Sequence, residues 1–398
     1  MLVRVPAPPI GWSILEADHS PVDTAPAAFQ PVVVAGRSLS NGLVEVSVDA
    51  DGAFRLRGGG SDLAGVGRLV DGGEFGDSYN YGPPAHDRLV DTPRDVAVER
   101  MHAGPLLGEL VVRRRYDWPV AVEPTGAART DATVETEVAT HLELRADEPF
   151  VRVRIEFDNR SRDHRLRWHV PLPSPATVSA AEGQYAVVER GLTLEGGHGE
   201  VPLPTYPARG FVQVAGVSIL LEHLTEYELI DDGRELTITV LRSFGLISRN
   251  RNPYREDPAG PELAVPDAQR IGPWTFGFAM LPHAGGWSEA GVLSAMERYQ
   301  HPFLSLRGTS RTTDPRPVDG LSVDGPGVVL SALRRRGDWL ELRLVAEHPL
   351  PTQAIVRGTF REARRVDLLG REGAELTVSG SALRLPLEAW EIATIRLR

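Results

Sequence analysis

The stretch that decides the fold is FVRVRIEFDN, residues 150–159, because apolar and polar side chains alternate along its length. Val151, Val153 and Ile155 fall on one face of an extended chain, whereas the arginines and the glutamate between them fall on the other. A period of two predicts a β-strand that buries one face and exposes the other. This pattern is typical of an antiparallel sheet packed on a core.

The same alternation recurs along the chain and extends the prediction to the whole protein. GLVEVSVDADGAFRLRG, residues 42–58, reads as two strands joined at a turn by Asp51 and Gly52. One segment, residues 287–302, has helical spacing, with Ser288 as the expected N-cap and Pro302 as its end. With 40 Gly and 32 Pro to form turns, the sequence predicts an all-β protein built on a large antiparallel β-sandwich.

Two connectors divide the chain. Residues 17–31 and 305–320 are rich in Pro, Ala, Ser and Thr. We therefore predict an N-terminal strand with a Pro-rich connector at 1–30. A large sandwich domain then spans 31–305, and a small C-terminal β-sandwich spans 306–398.

Composition limits the partners. The 43 basic and 54 acidic residues give a net charge of −11, which disfavours nucleic acid and anionic membrane surfaces. No cysteine is present, so disulfides, thiolate metal sites and cysteine nucleophiles are excluded. No apolar run has the length of a membrane span or the pattern of a signal peptide, and the expected location is the cytoplasm.

The first candidate site is DGGEFGDSYNYGPPAHD, residues 71–87, where glycine turns and a Pro-Pro pair stiffen an aromatic loop. We predict that Asp77, Tyr79, Asn80 and Tyr81 bind substrate there. Aromatic faces pack against the C–H groups of sugars, and carboxylates and amides bind hydroxyls. The alternative is that Asp77 caps a turn while both tyrosines pack on the sandwich.

The second candidate site is the polar segment SRNRNPYREDPAGP, residues 248–261. Arg249, Arg251 and Arg255 are predicted to donate hydrogen bonds to substrate hydroxyls, although the sequence does not decide which of them faces the sugar. The alternative is a solvated loop in which these arginines pair with Glu256 and Asp257.

Catalytic and metal-binding groups are not predicted within the chain. The eleven histidines stand singly, without the spacing of a ligand pair. His164 has no visible partner ligands, and Asp163 beside it is expected to bond its own turn. Glu74 and Asp77 are close enough in sequence to converge as a glycosidase pair, but 54 acids make such pairs common.

Several blocks occur in an order that resembles a known family. They include VPAPPIGWSIL (5–15), LSNGLVEVSVDADGAFRL (39–56), DGGEFGDSYNYGPP (71–84), FDNRSRDHRLRWHVPLP (157–173), GPELAVPDAQRIGPWTFGFAMLPHAGGW (260–287) and VVLSALRRRGDWLELRLVAE (328–347). Together they resemble the C-terminal half of glycoside hydrolase family 38, the α-mannosidases, in its bacterial type. The resemblance implies a galactose-mutarotase-like supersandwich followed by a small β-sandwich.

The resemblance also implies that the catalytic groups lie in a different part of the enzyme. Family members are retaining, zinc-dependent exo-α-mannosidases whose zinc ligands and aspartate nucleophile lie in N-terminal α/β and helical domains. No such segments are recognised here, so zinc is expected only in that catalytic half, which a separate chain or domain would supply. The aromatic loop lies toward the catalytic cleft in the family, which implies that Tyr79 or Tyr81 shapes the mannose site and that an arginine of the second loop lies near the substrate.

Three functions therefore remain open. The chain is the C-terminal region of an α-mannosidase that acts on mannosides or mannose-containing oligosaccharides and is inactive alone. Alternatively, it is a free-standing carbohydrate-binding β protein. Thirdly, it is an independent supersandwich enzyme such as an aldose epimerase, which needs a histidine and a carboxylate facing each other in a concave sheet.

Overall fold

The computed structural model describes residues 9–12, 29–193, 197, 199–306 and 320–398. Within these residues the chain forms two compact units. Of the described residues, the larger unit holds 29–182, 188–193, 197 and 199–301, and the smaller unit holds 302–306 and 320–398 with the short segments 9–12 and 183–187. The predicted boundaries at 30/31 and 305/306 lie beside residues outside the described ranges, so they stay predictions.

The regular secondary structure in the described part of the larger unit is almost entirely β-strand. They are β1 (Val33–Ala35), β2 (Ser38–Ser40), β3 (Val44–Val48), β4 (Phe54–Gly58), β5 (Ser61–Val66), β6 (Arg68–Gly73), β7 (Asp95–Ala103), β8 (Leu107–Pro119), β9 (Thr133–Arg145), β10 (Val151–Asn159), β11 (His164–Pro171), β12 (Val178–Glu182), β13 (Val187–Gly191), β14 (Thr205–Ala208), β15 (Phe211–Val214), β16 (Val217–Leu221), β17 (Thr225–Ile230), β18 (Glu235–Ser243) and β19 (Gly272–Pro282). A 3₁₀ turn covers Pro266–Gln269. The prediction of an all-β sandwich is confirmed.

Three antiparallel sheets share one hydrophobic core. Sheet A has the order β1-β2-β3-β4-β5, sheet B the order β13-β12-β15-β16-β19-β10-β9-β8-β7, and sheet C the order β14-β17-β18-β11-β6. Trp168 of sheet C lies edge-on to Phe278 of sheet B, with ring centroids 5.2 Å apart, and also contacts Phe54 of sheet A. These aromatic contacts hold the faces of the sandwich together.

Strand β10 shows how the sequence pattern becomes structure. Val151, Val153 and Ile155 are buried, and the polar residues between them lie on the outward face. The strand lies between β9 and β19 in the middle of sheet B. The predicted alternation of residues 150–159 is therefore confirmed, with the apolar face in the core.

The predicted helix forms, but it begins later than expected. Helix α1 (Val292–Gln300) has Gly291 in the left-handed conformation at its N-cap, without a side-chain cap. The prediction that Ser288 caps this helix is wrong, because the backbone first completes turns through residues 288–291. Val292, Leu293 and Met296 are buried, as the helical spacing predicts.

The smaller unit has its own core and two sheets. Its strands are β20 (Ser322–Asp324), β21 (Val328–Arg336), β22 (Trp339–Ala346), β23 (Thr352–Arg357), β24 (Ala363–Val366), β25 (Glu372–Leu376), β26 (Val378–Ser379), β27 (Ala382–Leu387) and β28 (Ile392–Leu397). They form the sheets β20-β23-β27-β26 and β21-β22-β28-β24-β25 around buried leucines, valines and alanines.

Most of the predicted N-terminal strand and its connector lie outside the described residues. Residues 9–12 are described, and the carbonyl of Ile10 lies so close to Gly320 that a Cβ on this glycine would collide with it. In the described ranges, no helix is long and apolar enough to cross a membrane.

Gly67 provides a test of how tightly the core is packed. It has a φ of +87°, and a Cβ there would lie 2.7 Å from the Trp168 ring and 2.9 Å from the Phe54 ring. We expect Gly67→Ala to lower the free energy of unfolding by about 2–4 kcal/mol, since it adds overpacking to backbone strain.

The matched control is Gly36→Ala, at a φ of +59° with nothing within 4 Å of the added Cβ. Backbone strain alone is expected to lower the free energy of unfolding of this variant by about 1 kcal/mol. Urea unfolding of both variants measures the difference, and equal losses would contradict the packing argument.

Candidate functional site

The site begins where the chain leaves sheet C at β6. The site loop, residues 74–87, follows directly, and the buried side chain of Glu74 fixes its shape. Its Oε1 accepts hydrogen bonds from the amides of Gly76 at 2.7 Å and Gly82 at 3.1 Å. Its Oε2 accepts one from Nε of Arg242 at 2.7 Å. Burial raises the pKa of Glu74, although Arg242 and the two amides act in the opposite direction.

Asp77 has no exposed surface and accepts four hydrogen bonds. Its Oδ1 accepts from the amides of Tyr79 at 3.0 Å and Asn80 at 3.1 Å. Its Oδ2 accepts from the amide of Arg249 at 2.7 Å and from Nη2 of Arg255 at 2.6 Å. Burial acts to raise the pKa of Asp77, but the Arg255 bond and the amides outweigh it and hold that pKa below its usual range. Asp77 therefore connects the site loop to the segment 248–261.

Arg255 makes this connection from the segment 248–261. Besides Asp77, its guanidinium donates to Oδ1 of Asn80 at 2.5 Å and to the carbonyl of Asp257 at 2.7 Å. Ser248 Oγ lies 3.2 Å from Nη2. The side chain is buried, so its donors hold the two loops together rather than point to solvent.

Arg249 and Tyr81 are each covered by another group. The guanidinium of Arg249 lies 3.6 Å from the centroid of the Phe75 ring, and its Nε donates to the carbonyl of Gly76. The Tyr81 ring lies 4.5 Å from the guanidinium of Arg165. Burial is the main cause that raises the pKa of Tyr81.

Tyr79 and Arg251 differ from the other five predicted residues. The Tyr79 side chain is 57% exposed, although its backbone is fixed by Asp77. Arg251 is exposed and makes no hydrogen bond or ion pair with any residue that the structure describes. The structure thus brings Asp77, Asn80, Arg249 and Arg255 into one network, packs Tyr81 on Arg165, and leaves Tyr79 and Arg251 free to contact a ligand. Their role in substrate binding stays a prediction.

Sequence reasoning missed the charged layer beneath the loop. Arg165 on β11 donates to Oε1 of Glu228 on β17 at 2.7 Å, and Arg167 donates to Oε2 of the same carboxylate at 2.9 Å. These side chains project from the face of sheet C opposite its core. The sequence pattern that could have predicted this layer is the alternation of charged and apolar residues along β11. Arg165 and Arg167 are two positions apart, which places two cations on one face of the strand.

His164 is buried and belongs to a separate polar cluster. Its Nδ1 lies 2.6 Å from Oδ1 of Asp71, and its Nε2 lies 3.0 Å from Oδ1 of Asn159. Arg129 donates to the other Asp71 oxygen. Asp163 accepts from Nε2 of Gln269 rather than bonding its own turn, so that expectation is wrong.

The described residues contain no group of three or more His, Asp or Glu side chains placed to hold a metal ion. The expectation that zinc belongs to a further catalytic region stays a prediction, and no chemical step is derived through a metal.

No family model matches the chain. Among curated proteins, "Putative mannosylglycerate hydrolase" of Halalkalibacterium halodurans is 25% identical over 266 residues, which is 63% of this chain and 28% of that protein. "Alpha-mannosidase 2C1" of Mus musculus is 26% identical over 172 residues, covering 39% of this chain and 16% of the mouse protein. The matched region is thus a minor part of each relative.

Two solved structures from Enterococcus faecalis have the same fold. One is a protein in glycosyl hydrolase family 38, with a TM-score of 0.75 and 20% identity. The other is an α-mannosidase, with a TM-score of 0.76 and 19% identity. Each alignment covers 94% of this chain but only 45% and 43% of the respective neighbour. The chain therefore spans less than half the length of these neighbours.

The contacts of Asp77 generate a stability prediction. We expect Asp77→Asn to lower the free energy of unfolding by roughly 3–5 kcal/mol, because Arg255 is left buried without its charge partner. Because the pKa of Asp77 is lowered in the folded state, its contribution is present above about pH 4 and is lost as pH falls through the folded-state pKa.

The measurement is urea unfolding across the range from about pH 7 to about pH 3. Asp232→Asn is the control, since the Asp232 side chain is 95% exposed. If Asp77→Asn unfolds like this control and keeps the acid dependence of the unchanged protein, Asp77 does not hold the loops together.

Proposed function

We propose that the chain, which is similar in sequence and fold to part of the α-mannosidases, forms the β-sandwich region of an α-mannosidase-like glycoside hydrolase. In this proposal the site loop shapes one wall of a cleft for an α-mannoside or a mannose-containing oligosaccharide. The observation that carries the proposal is Tyr79, an exposed ring on a loop whose backbone is fixed by Asp77.

An exposed aromatic ring on a fixed backbone suits a sugar. Tyr79 is more than half exposed, and its ring packs on the C–H face of a pyranose with little loss of side-chain entropy. Arg251, the other free group, supplies N–H donors for sugar hydroxyls. Asp77 and Arg255 bind no sugar in this scheme, because they position the two segments from which Tyr79 and Arg251 project.

The hydrolytic chemistry is assigned to groups outside the described residues. A retaining mechanism needs an acid and a nucleophile about 5 Å apart across the substrate. Glu74 and Asp77 are both buried and bonded to Arg242 and Arg255, so neither is available for that role. We propose that a further domain or chain supplies the nucleophile and a zinc ion, and that this chain binds and orients the sugar.

An independent epimerase is not favoured. Such an enzyme needs a histidine and a carboxylate that both reach the substrate. His164 and Asp71 form a close pair, but both side chains are completely buried. This pair is therefore closed to a substrate, and the mannosidase region remains our proposal.

Binding of methyl α-D-mannoside tests the role of the two free groups. We expect Tyr79→Ala to weaken binding by about fivefold, through loss of roughly 1 kcal/mol of ring stacking. Arg251→Ala is expected to weaken binding by a smaller factor of about three, since one solvated hydrogen-bonding group is removed.

The controls for these variants are Leu89→Ala and Arg100→Ala. Leu89 is as exposed as Tyr79, at 57%, and Arg100 is exposed on β7 at the edge of sheet B. Titration calorimetry measures all four variants. Equal affinities for Tyr79→Ala and Leu89→Ala would contradict the proposed wall of the cleft.

A second measurement tests the assignment of catalysis to a further domain or chain. The purified chain is expected to release no p-nitrophenol from p-nitrophenyl α-D-mannoside and to carry no stoichiometric zinc by metal analysis. Turnover that copurifies with the protein, or one zinc per chain, would refute the assignment of catalysis to another region.

A further inference from the structure

A buried charged cluster closes the base of the site loop. Asp71 lies three residues before the loop, and its backbone pairs in both directions with Val90, three residues after it. Nη1 of Arg129 donates to the carbonyls of Asp71 and Arg88 at 3.1 Å each, and its Nη2 donates to Oδ2 of Asp71 at 2.5 Å. His164 contacts the other oxygen of this carboxylate. Asp71, Arg129 and His164 together form the base cluster.

The contacts of Asn159 show that one ring nitrogen of His164 is a donor. Oδ1 of Asn159 accepts from the amide of Ser161 at 3.1 Å and lies 3.0 Å from Nε2 of His164. Nδ2 of Asn159 donates to the carbonyls of Gln269 at 3.2 Å and Arg270 at 3.0 Å. The reversed amide would turn its oxygen toward two carbonyls and its N–H groups toward another N–H, so this orientation is fixed. Nε2 of His164 therefore faces an acceptor and carries a hydrogen.

The second ring nitrogen of His164 faces an acceptor as well. Its Nδ1 lies 2.6 Å from Oδ1 of Asp71. A hydrogen must lie between these two atoms, since two lone pairs at this distance repel each other. Arg129 is always charged and pairs with the same carboxylate, which favours ionised Asp71 and leaves the hydrogen on Nδ1. A histidine that donates from both nitrogens is an imidazolium.

The surroundings of the ring suit a cation. The centroid of the Trp118 ring lies 5.5 Å from that of His164, within the range of a cation–π contact. Burial raises the pKa of Asp163, and the neighbouring His164 is among the groups that act in the opposite direction. Asp87 accepts from the amide of Gly73, the cross-strand partner of His164. Because the His164 side chain has no exposed surface, its charge depends on such partners.

We propose that His164 is a positioning residue that acts as a buried imidazolium, whose two N–H groups join the end of β10 to β6 and fix the base of the site loop. Nδ1 holds Asp71, and Nε2 holds Asn159. A neutral ring has one N–H group and would leave one of these two acceptors opposite a lone pair. The inference goes beyond the function proposed above, because it does not depend on which ligand Tyr79 contacts.

NMR of the full chain, isotopically labelled at the histidine ring nitrogens, tests the protonation of His164 at neutral pH. We expect both nitrogens of this ring to show one-bond coupling to a hydrogen, and both hydrogens to exchange slowly with water because the ring is buried. The ring is assigned by its contact with Trp118. A nitrogen of His164 without a bonded hydrogen would overturn the proposal.

Two substitutions each keep one of the two donors and test what the imidazolium does for the loop. His164→Asn carries an N–H group near the position of Nδ1, and His164→Gln carries one near the position of Nε2. We expect amide hydrogen exchange in the site loop, measured by mass spectrometry, to become about tenfold faster in both variants, because each loses one buried hydrogen bond. Exchange in the strands of the smaller unit is the internal reference.

The matched controls are His223→Asn and His223→Gln, since His223 is exposed. They are expected to leave exchange in the site loop unchanged. If either His164 variant exchanges like these controls, a single hydrogen bond is sufficient and the proposal is wrong. If neither His164 variant folds, the NMR measurement on the unchanged protein still decides the protonation. Both measurements are made without sugar, so their failure is distinct from failure of the binding proposed for Tyr79.

Discussion

The buried ion pair between Asp77 and Arg255 is the constraint on which the candidate site depends. The two residues are 178 positions apart in sequence, and their contact joins the site loop to the segment 248–261. Four hydrogen bonds satisfy the Asp77 carboxylate, two of them from its own loop. A buried pair of this kind adds little net stability over an apolar pair, but the loss of one partner is costly. It therefore specifies one arrangement of the loops.

Further charge pairs continue this arrangement across sheet C. Glu74 forms an ion pair with Arg242, and Glu228 forms ion pairs with both Arg165 and Arg167. All 43 basic residues in the chain are arginines, and the planar fork of arginine binds two acceptors in fixed directions. Burial acts to raise the pKa of Glu228, and the two arginines hold it below its usual range. The layer beneath the site loop therefore consists of charged side chains that are paired with one another.

The sequence predicted the architecture better than the roles of single residues. Alternation in residues 150–159 identified β10, since a strand in a sandwich shows which face it buries within a few neighbouring positions. The same local reasoning could not find the contact of Asp77 with Arg255, because nothing in either loop encodes a partner so far away. Both residues have the chemistry of ligand-binding groups, and the fold uses that chemistry internally. Helix α1 was found by its apolar face, but its start was misplaced, because a left-handed glycine replaced the expected serine cap.

The surface that the candidate site offers to a ligand is formed by Tyr79 and Arg251. The site loop exposes the Tyr79 ring, and the neighbouring segment exposes Arg251. Asp77 and Glu74 are paired with Arg255 and Arg242 instead, and these pairs hold the backbone from which the two exposed side chains project. A strongly cationic ligand is disfavoured beside Arg251. A neutral polyhydroxylated molecule suits this surface, since its hydroxyls accept hydrogen bonds from a guanidinium group and its C–H groups pack against an aromatic ring.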